Sequence, residues 1–304
     1  MREIIKITIA LTVSCLMAGI VVGVAYIFTA EAKKHNEHLN VQKTMFSLLG
    51  YGKDRPVPAE LKMQHIYRYI IENGDAKYLG YMLPIQIGEK TGYELIVLDL
   101  AGQFVSQHSL DMGPEEAISV EDRKIALAHV IDSNASARYA DAMIVAALDK
   151  KRIAYLLPSE FPGFKTFITA MLALDADFGI LGLEVIEHEE DPGLGGEIEQ
   201  AYFKNQFAGK SFEKLKKLKV VKEPLPDEYR KFMESEKLGK DRFSQEDIAE
   251  IEKNYKDKDI YALTGATISS VAVTNGLKRA TKKFVYRIQM LDRVIASRQI
   301  PVAF

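Results

Sequence analysis

Val273, Leu277, Ala280, Phe284, Ile288, Leu291 and Ile295 recur every three or four residues. That spacing lines up one face of a long helix. Lys278, Arg279, Lys282, Lys283 and Arg287 fall mostly on the other faces. Such a stripe has to be buried against another layer of the chain. Immediately before it stands Thr264-Gly265-Ala266-Thr267-Ile268-Ser269-Ser270. A helix start offers unpaired backbone N–H groups and a partial positive charge, which suits a phosphate. Gly265 and Ala266 have almost no side chain, so a bulky anion can approach the backbone, and Thr267 puts a hydroxyl at the same place. A plainer reading stands beside this one, because a Thr ahead of an apolar-periodic run commonly serves as an N-cap.

A second stretch has the same double character. Residues 179–188 read as a strand and run into Glu189-Glu190-Asp191-Pro192-Gly193-Leu194-Gly195. Gly193 and Gly195 permit unusual backbone angles and close approach. Leu194, held on that turn, offers an apolar contact. Taken alone, the Pro-Gly-Leu-Gly run also reads as a surface turn.

The two stretches, in this order, resemble the FMN-binding domain family, which includes the G subunit of the Rnf electron-transport complex and the C subunit of the Nqr sodium pump. Thr264-Gly265-Ala266-Thr267 is similar to that family's flavinylation motif, and residues 189–195 to its Glu-Thr-Pro-Gly-Leu-Gly loop. Residues 203–212 resemble its linking segment, so the likeness runs from about residue 143 to 284. The resemblance implies FMN as a covalent cofactor, joined through its phosphate to the Thr267 hydroxyl by a separate flavin transferase. In that sense the chain is a phosphoprotein. It implies Thr264, Gly265, Ala266, Ile268 and Ser269 beside the attachment point, Gly193, Leu194 and Gly195 in the facing loop, and His188 and Glu190 close by. Two positions depart from the pattern. Tyr261 stands where the family usually has Asp three residues before the motif, with Asp259 two residues further back, and Asp191 replaces the loop Thr.

The function implied is that of a membrane-anchored electron-transfer flavoprotein subunit. By the resemblance it belongs to an ion-translocating Rnf-type ferredoxin–NAD oxidoreductase complex, with other membrane subunits as partners. Such a subunit needs no catalytic acid or base of its own, since a flavin carries the electrons, and it is not a stand-alone enzyme. Two alternatives remain open at this point. One is a flavin-free anchored scaffold or binding module in which Thr267 only caps a helix. The other is a covalent-FMN protein serving a quinone- or cytochrome-linked chain, since fold does not fix function.

Residues 7–28 are almost wholly apolar, long enough for a bilayer-spanning helix. A cleaved signal, with Ala30-Glu31-Ala32 at the cleavage site, would have a shorter apolar core. The expected location is therefore the cytoplasmic (inner) membrane, crossed once. Lys and Arg are balanced about the run, so charge does not orient it; the resemblance places the flavin domain outside the cytoplasm. Cys15 is the sole cysteine, which excludes a disulfide within the chain and any cysteine-held iron–sulfur or haem group. The six histidines form no metal pattern, and His35 and His38 read as solvated helix residues. With 40 basic against 42 acidic residues the net charge is −2, which gives no footprint for nucleic acid.

Between these features the chain reads as α+β, with an N-terminal transmembrane helix followed by antiparallel sheet and covering helices in the FMN-binding domain fold. Helices are predicted over 31–49, 59–73, 119–131 and 133–139. Strands are predicted over 78–87, 93–100 and 104–105, and as hairpins over 143–157 and 167–188. The earlier β block reads as an imperfect copy of the later one. Tyr81-Met82-Leu83-Pro84 matches Tyr155-Leu156-Leu157-Pro158, Leu98-Asp99 matches Leu174-Asp175, and His108 and Asp111 match His188 and Asp191. Only the later copy has the Pro-Gly-Leu-Gly loop, so one flavin is expected. Residues 210–258 are charge-rich, with Ser244 and Asp247 as a loose capping box. The domains expected are an anchor (1–30), a helical and β extension (31–140), the FMN-binding domain (141–290) and a tail (291–304).

Overall fold

The computed structural model describes residues 2–235 and 242–304. The chain divides into two compact units, Met1–Ser47 and Leu48–Phe304. Helix α1, Arg2–Leu48, is continuous. Its stretch Arg2–Tyr26 is long and apolar enough to cross a membrane, with a mean hydropathy of 2.4 and none of that surface buried. The helical reading of 31–49 agrees with this, and Gly50 follows with φ +78° as the stop. The side chains of 27, 28 and 30–38, His35 and His38 among them, lie outside the described residues.

The second unit is built on one eight-stranded antiparallel sheet. Its strands are β1 (Leu61–Asn73), β2 (Ala76–Ile87), β3 (Lys90–Leu98), β4 (Phe104–Leu110), β5 (Ala135–Leu148), β6 (Lys151–Pro162), β7 (Phe167–Asp175) and β8 (Ile180–Glu187). The order is β4-β3-β2-β1-β5-β6-β7-β8. Two four-stranded meanders thus meet back to back, joined where β1 runs antiparallel to β5 from Leu61↔Leu148 to Asn73↔Ala135. The suspected internal copy follows this plan: Tyr81 and Tyr155 lie on the second strands of the two meanders, and Leu98 and Leu174 on the third. Strand β5 continues through residue 140, where Ala140 forms a bulge between the Arg68↔Asp141 and Tyr69↔Tyr139 pairs.

Two helical readings are corrected here. Residues 59–73 form strand β1, not a helix. As a central strand β1 is buried on both faces. Ile66 joins the core cluster on one side, and Tyr67, Tyr69 and Ile71 join the cluster on the other. Its apolar residues therefore run together instead of alternating, and Leu61, Ile66, Tyr69 and Ile70 acquire helix-like spacing by coincidence. Residues 133–139 mostly belong to β5. Their Ala and Ser residues have no strong strand propensity of their own, and pairing with β1 overrides it.

Helices cover both faces. On one lie the short α2 (Pro114–Ile118) and α3 (Val120–Val130), the latter capped by Ser119. Buried Arg123 of α3 donates to the Tyr69 hydroxyl and to the carbonyls of Ala117 and Ile118. The excursion after β8 holds α4 (Ala201–Lys204), α5 (Phe212–Lys217), β9 (Val220–Val221), α6 (Asp227–Glu234) and α7 (Gln245–Tyr255). Ser244 and Asp247 do form a reciprocal capping box at the start of α7. β10 (Ile260–Tyr261) pairs in parallel with β9. Helix α8, Thr267–Arg298, then crosses the other face of the sheet, burying Val273, Leu277, Phe284, Ile288 and Leu291 as its periodicity requires. After Gln299 (φ +52°) ends it, the last residues bond to β2 through Pro301 with Gln86 and Ala303 with Pro84.

Candidate functional site

Gly265, at φ +75°, turns the chain into α8. Ala266 is the N-cap residue and has no side-chain cap, so Thr267 is the first residue of the helix. The reading of Thr267 as the cap is thereby corrected: its hydroxyl is not spent on the helix end. Thr264 and Ile268 are exposed, Thr267 is partly exposed, and Ser269 and Ser270 are buried. Ser270 Oγ accepts from the Leu263 N–H (3.0 Å) and donates to the Ala266 carbonyl (3.0 Å), which fixes the turn ahead of the helix. The first-turn N–H groups of a helix have no partner within it. At the head of a 32-residue helix they face whatever occupies the space beside Thr267.

The loop after β8 closes on this turn. Gly193 is at φ +72° with open space around it. Leu194, 47% exposed, lies against Gly265: a Cβ on Gly265 would stand 3.0 Å from Leu194 Cδ2. A Cβ on Gly195 would come within 2.7 Å of both Glu190 Oε2 and Ser269 Oγ. The two stretches singled out in the sequence, some seventy residues apart, are therefore in direct contact, and Gly195 and Gly265 sit where a side chain would press on the facing stretch.

Glu190 is 4% exposed. Its Oε2 accepts from the Ser269 hydroxyl, and its Oε1 accepts from the N–H groups of Phe164 (2.7 Å) and Lys165 (3.2 Å). His188 Nδ1 accepts from the Glu190 N–H (3.1 Å), and its Nε2 lies 3.5 Å from Glu199. These two side chains hold the loop together from within. Asp191 pairs with Lys165, whose ammonium it holds above the usual lysine range.

The β6–β7 turn at Gly163, Phe164 and Lys165 was not singled out in the sequence, although Pro162-Gly163 is a turn signal. Gln206 was also missed. It is buried and grips β10 from both sides, accepting from the Tyr261 N–H (2.8 Å) and donating to the Tyr261 carbonyl (3.4 Å). Nothing about a lone Gln in sequence marks such a role. Tyr261 itself is 8% exposed and packs edge-on against Tyr229, with ring centroids 6.3 Å apart. Burial raises its phenol above the ordinary tyrosine range. Asp259 accepts from the Lys219 N–H (3.2 Å) and lies 3.5 Å from Lys214 Nζ. No free carboxylate stands at either position.

The site thus combines an anion-favouring helix start, a hydroxyl at its first residue, and an apolar side chain held over a glycine. Residues 163–282, which include the Glu190–Gly195 loop and the Thr267 turn, match the model of the FMN-binding domain. Among curated relatives, the chain is 30% identical over 133 residues to the G subunit of the proton-translocating ferredoxin:NAD(+) oxidoreductase complex of Clostridium ljungdahlii, covering 44% of this chain and 54% of that protein. The match spans about half the length of that relative. It is 24% identical over 210 residues to the C subunit of the Na(+)-translocating NADH-quinone reductase of Yersinia pestis, covering 67% of this chain and 70% of the relative. The crystal structure of the corresponding C subunit from Parabacteroides distasonis aligns over 66% of this chain and 77% of its own, at 18% identity and a TM-score of 0.33. The resemblance to the FMN-binding domain family is thereby shown over residues 163–282, the stretch that contributes both sides of the site.

Proposed function

We propose that this chain is a membrane-anchored electron-transfer subunit that carries FMN as a phosphoester on Thr267 Oγ1. The contact of Leu194 with Gly265 carries the reading, because it joins the anion-favouring helix start to an apolar surface of the kind a flavin ring needs. The residues present fit the group. The Thr267 hydroxyl is partly exposed and unspent on capping. The first turn of α8 favours the one negative charge a phosphodiester retains. Gly193 and Gly265 leave room for close approach. Bound FMN supplies one- and two-electron transfer. The chain's own residues hold the phosphate at the helix start, present Leu194 to the ring, and lock the loop through Glu190.

The Arg2–Tyr26 stretch serves as a single-pass anchor in the cytoplasmic membrane, with the flavin-bearing part, residues 141–290, on the extracytoplasmic side. The chain works beside other membrane subunits of an Rnf-like, ion-translocating complex that passes electrons between ferredoxin and NAD. The likeness to the G subunit of a ferredoxin:NAD(+) oxidoreductase complex supports this assignment. A separate transferase makes the ester from an activated flavin donor of the dinucleotide class: Thr267 Oγ1 bonds to the flavin-side phosphorus, the bond from that phosphorus to the bridging oxygen breaks, and the rest of the donor leaves as a nucleoside monophosphate while the hydroxyl proton is lost to solvent.

Thr267→Val keeps the side-chain shape and removes only the oxygen. Coexpressed with a flavin transferase, it is expected to lose the FMN mass in the intact protein and the flavin fluorescence of the band on a denaturing gel. Thr264→Val is expected to retain both. Fluorescent Thr267→Val protein would move the ester elsewhere. Ser269 would be a poor substitute, since its hydroxyl is buried and donates to Glu190.

A further inference from the structure

Beside α8, away from the Thr267 turn, lies a cavity of about 730 Å3 bounded by β5 and β6. That volume is in the range of small-molecule sites. Its floor is apolar: Met143, Leu157, Phe161 and Phe284 line it and are buried. Gly276 borders it, and a Cβ there would stand 2.3 Å from the Phe161 ring. Gly276, the lining residue on α8 nearest the Thr267 turn, is nine residues along the helix from Thr267, about 14 Å.

The rim carries three cations, Arg279, Lys283 and Arg287, and two carboxylates, Glu160 and Asp141. Arg279, Lys283 and Arg287 lie at successive turns of α8 on the side that borders the cavity. Arg287 is committed: its Nη1 donates to Asp141 Oδ2 (2.8 Å), a carboxylate also gripped by Arg68 at 2.8 and 2.5 Å. Arg279 and Lys283 are exposed and have no carboxylate within ion-pair distance among the described residues. A solvated helix face accounts for Lys282, which lies outside the cavity lining. It does not account for two cations without an ion-pair partner that line the same cavity as Met143, Leu157, Phe161 and Phe284.

We propose that this cavity binds an anionic amphiphile: a small molecule whose apolar or aromatic body lies on Phe161 and Phe284 and whose phosphate or carboxylate head pairs with Arg279 and Lys283. The head and body belong either to a soluble metabolite or to a membrane lipid.

The test is calorimetric titration of the full chain, in nanodiscs of zwitterionic lipid, with 1-naphthyl phosphate. Saturable binding at one site is expected. Inorganic phosphate and 1-naphthol, the two halves of the probe, are each expected to bind at least about tenfold more weakly. Arg279→Glu with Lys283→Glu is expected to weaken the probe by a similar factor, while Lys282→Glu, outside the cavity, leaves it unchanged. Both sets of variants are exposed, so an unchanged Tm is expected and certifies the fold. In nanodiscs containing phosphatidylglycerol, loss of probe binding identifies a lipid as the occupant and retention identifies a soluble anion; both uphold the site. Absence of saturable binding, equal binding by the doubly reversed variant, or inorganic phosphate binding as well as the probe would overturn it.

Discussion

Glu190 Oε2 accepts a hydrogen bond from the hydroxyl of Ser269, 79 residues further along the chain. The same carboxylate takes the N–H groups of Phe164 and Lys165 on its other oxygen. One buried side chain therefore fastens the β6–β7 turn, the loop after β8 and the first turn of α8 into a single piece.

Removing that fastener should be costly. Glu190→Ala leaves a buried hydroxyl and two N–H groups without their acceptor, at a cost of about 3 kcal/mol. Glu190→Gln keeps an acceptor oxygen and should lose less. Urea midpoints at unchanged m-value measure both. A Glu190→Ala protein as stable as the parent would show that the carboxylate is incidental to the fold.

Leu194 is half-exposed and contributes little to the core. Leu194→Asp is therefore expected to leave the urea midpoint within about 0.5 kcal/mol of the parent. It should shift the flavin's visible absorbance and midpoint potential, because a charge then stands against an apolar ring. An unaltered spectrum and potential would place the ring away from Leu194.

Tyr261→Asp restores the residue type that the resembling family carries at this position, and it should fail as a restoration. The shorter carboxylate would be buried beside Tyr229 and Tyr255 without a partner, at a cost of about 3 kcal/mol. Tyr261→Phe, which keeps the ring, should stay within about 1 kcal/mol. Thermal unfolding of the two variants separates them, and the idea fails if the Asp variant melts with the parent.

Lys210 is 2% exposed and donates to the carbonyls of Lys256 (2.7 Å) and Lys258 (2.9 Å). Burial lowers its ammonium from 10.5 to about 8. Between those values the unfolded chain binds the extra proton, so this residue makes stability rise as pH increases from about 8 to 10.5. Below about 8 both states are protonated and the burial penalty is fully present. Lys210→Met should remove this rise, seen as a flatter dependence of the urea midpoint on pH. An equally steep rise in the variant would assign it to other groups.

What the sequence made legible follows from where the constraints act. The two hairpins after residue 140 are short apolar runs bounded by the polar turns Asp149-Lys150 and Asp175–Gly179, and those bounds make them readable. Helix α8 is buried along one stripe and shows its period plainly. β1 is buried on both faces as well, but Gln64, His65 and Arg68 interrupt its apolar residues, and Leu61, Ile66, Tyr69 and Ile70 are left with a helix-like spacing. At the site, the glycines and the Thr267 turn were visible because backbone geometry demands those residue types. Glu190 and His188 were visible as positions near the site. Their inward hydrogen bonds were not, since those depend on a turn at Gly163–Lys165 that only the folded sheet brings alongside. Gln206 left no local trace at all.

The back-to-back arrangement of the two meanders also sets an order of assembly. Every strand pairing in the sheet but one joins neighbours in sequence. The exception, β1 with β5, brings Asn73 to Ala135 across 61 intervening residues. Hairpins close in microseconds, whereas a long loop must give up its entropy before its contacts reward it. The rate of folding should thus be set at the middle of the sheet, while the half that carries the Glu190–Gly195 loop, β5 to β8, pairs only between neighbours in sequence.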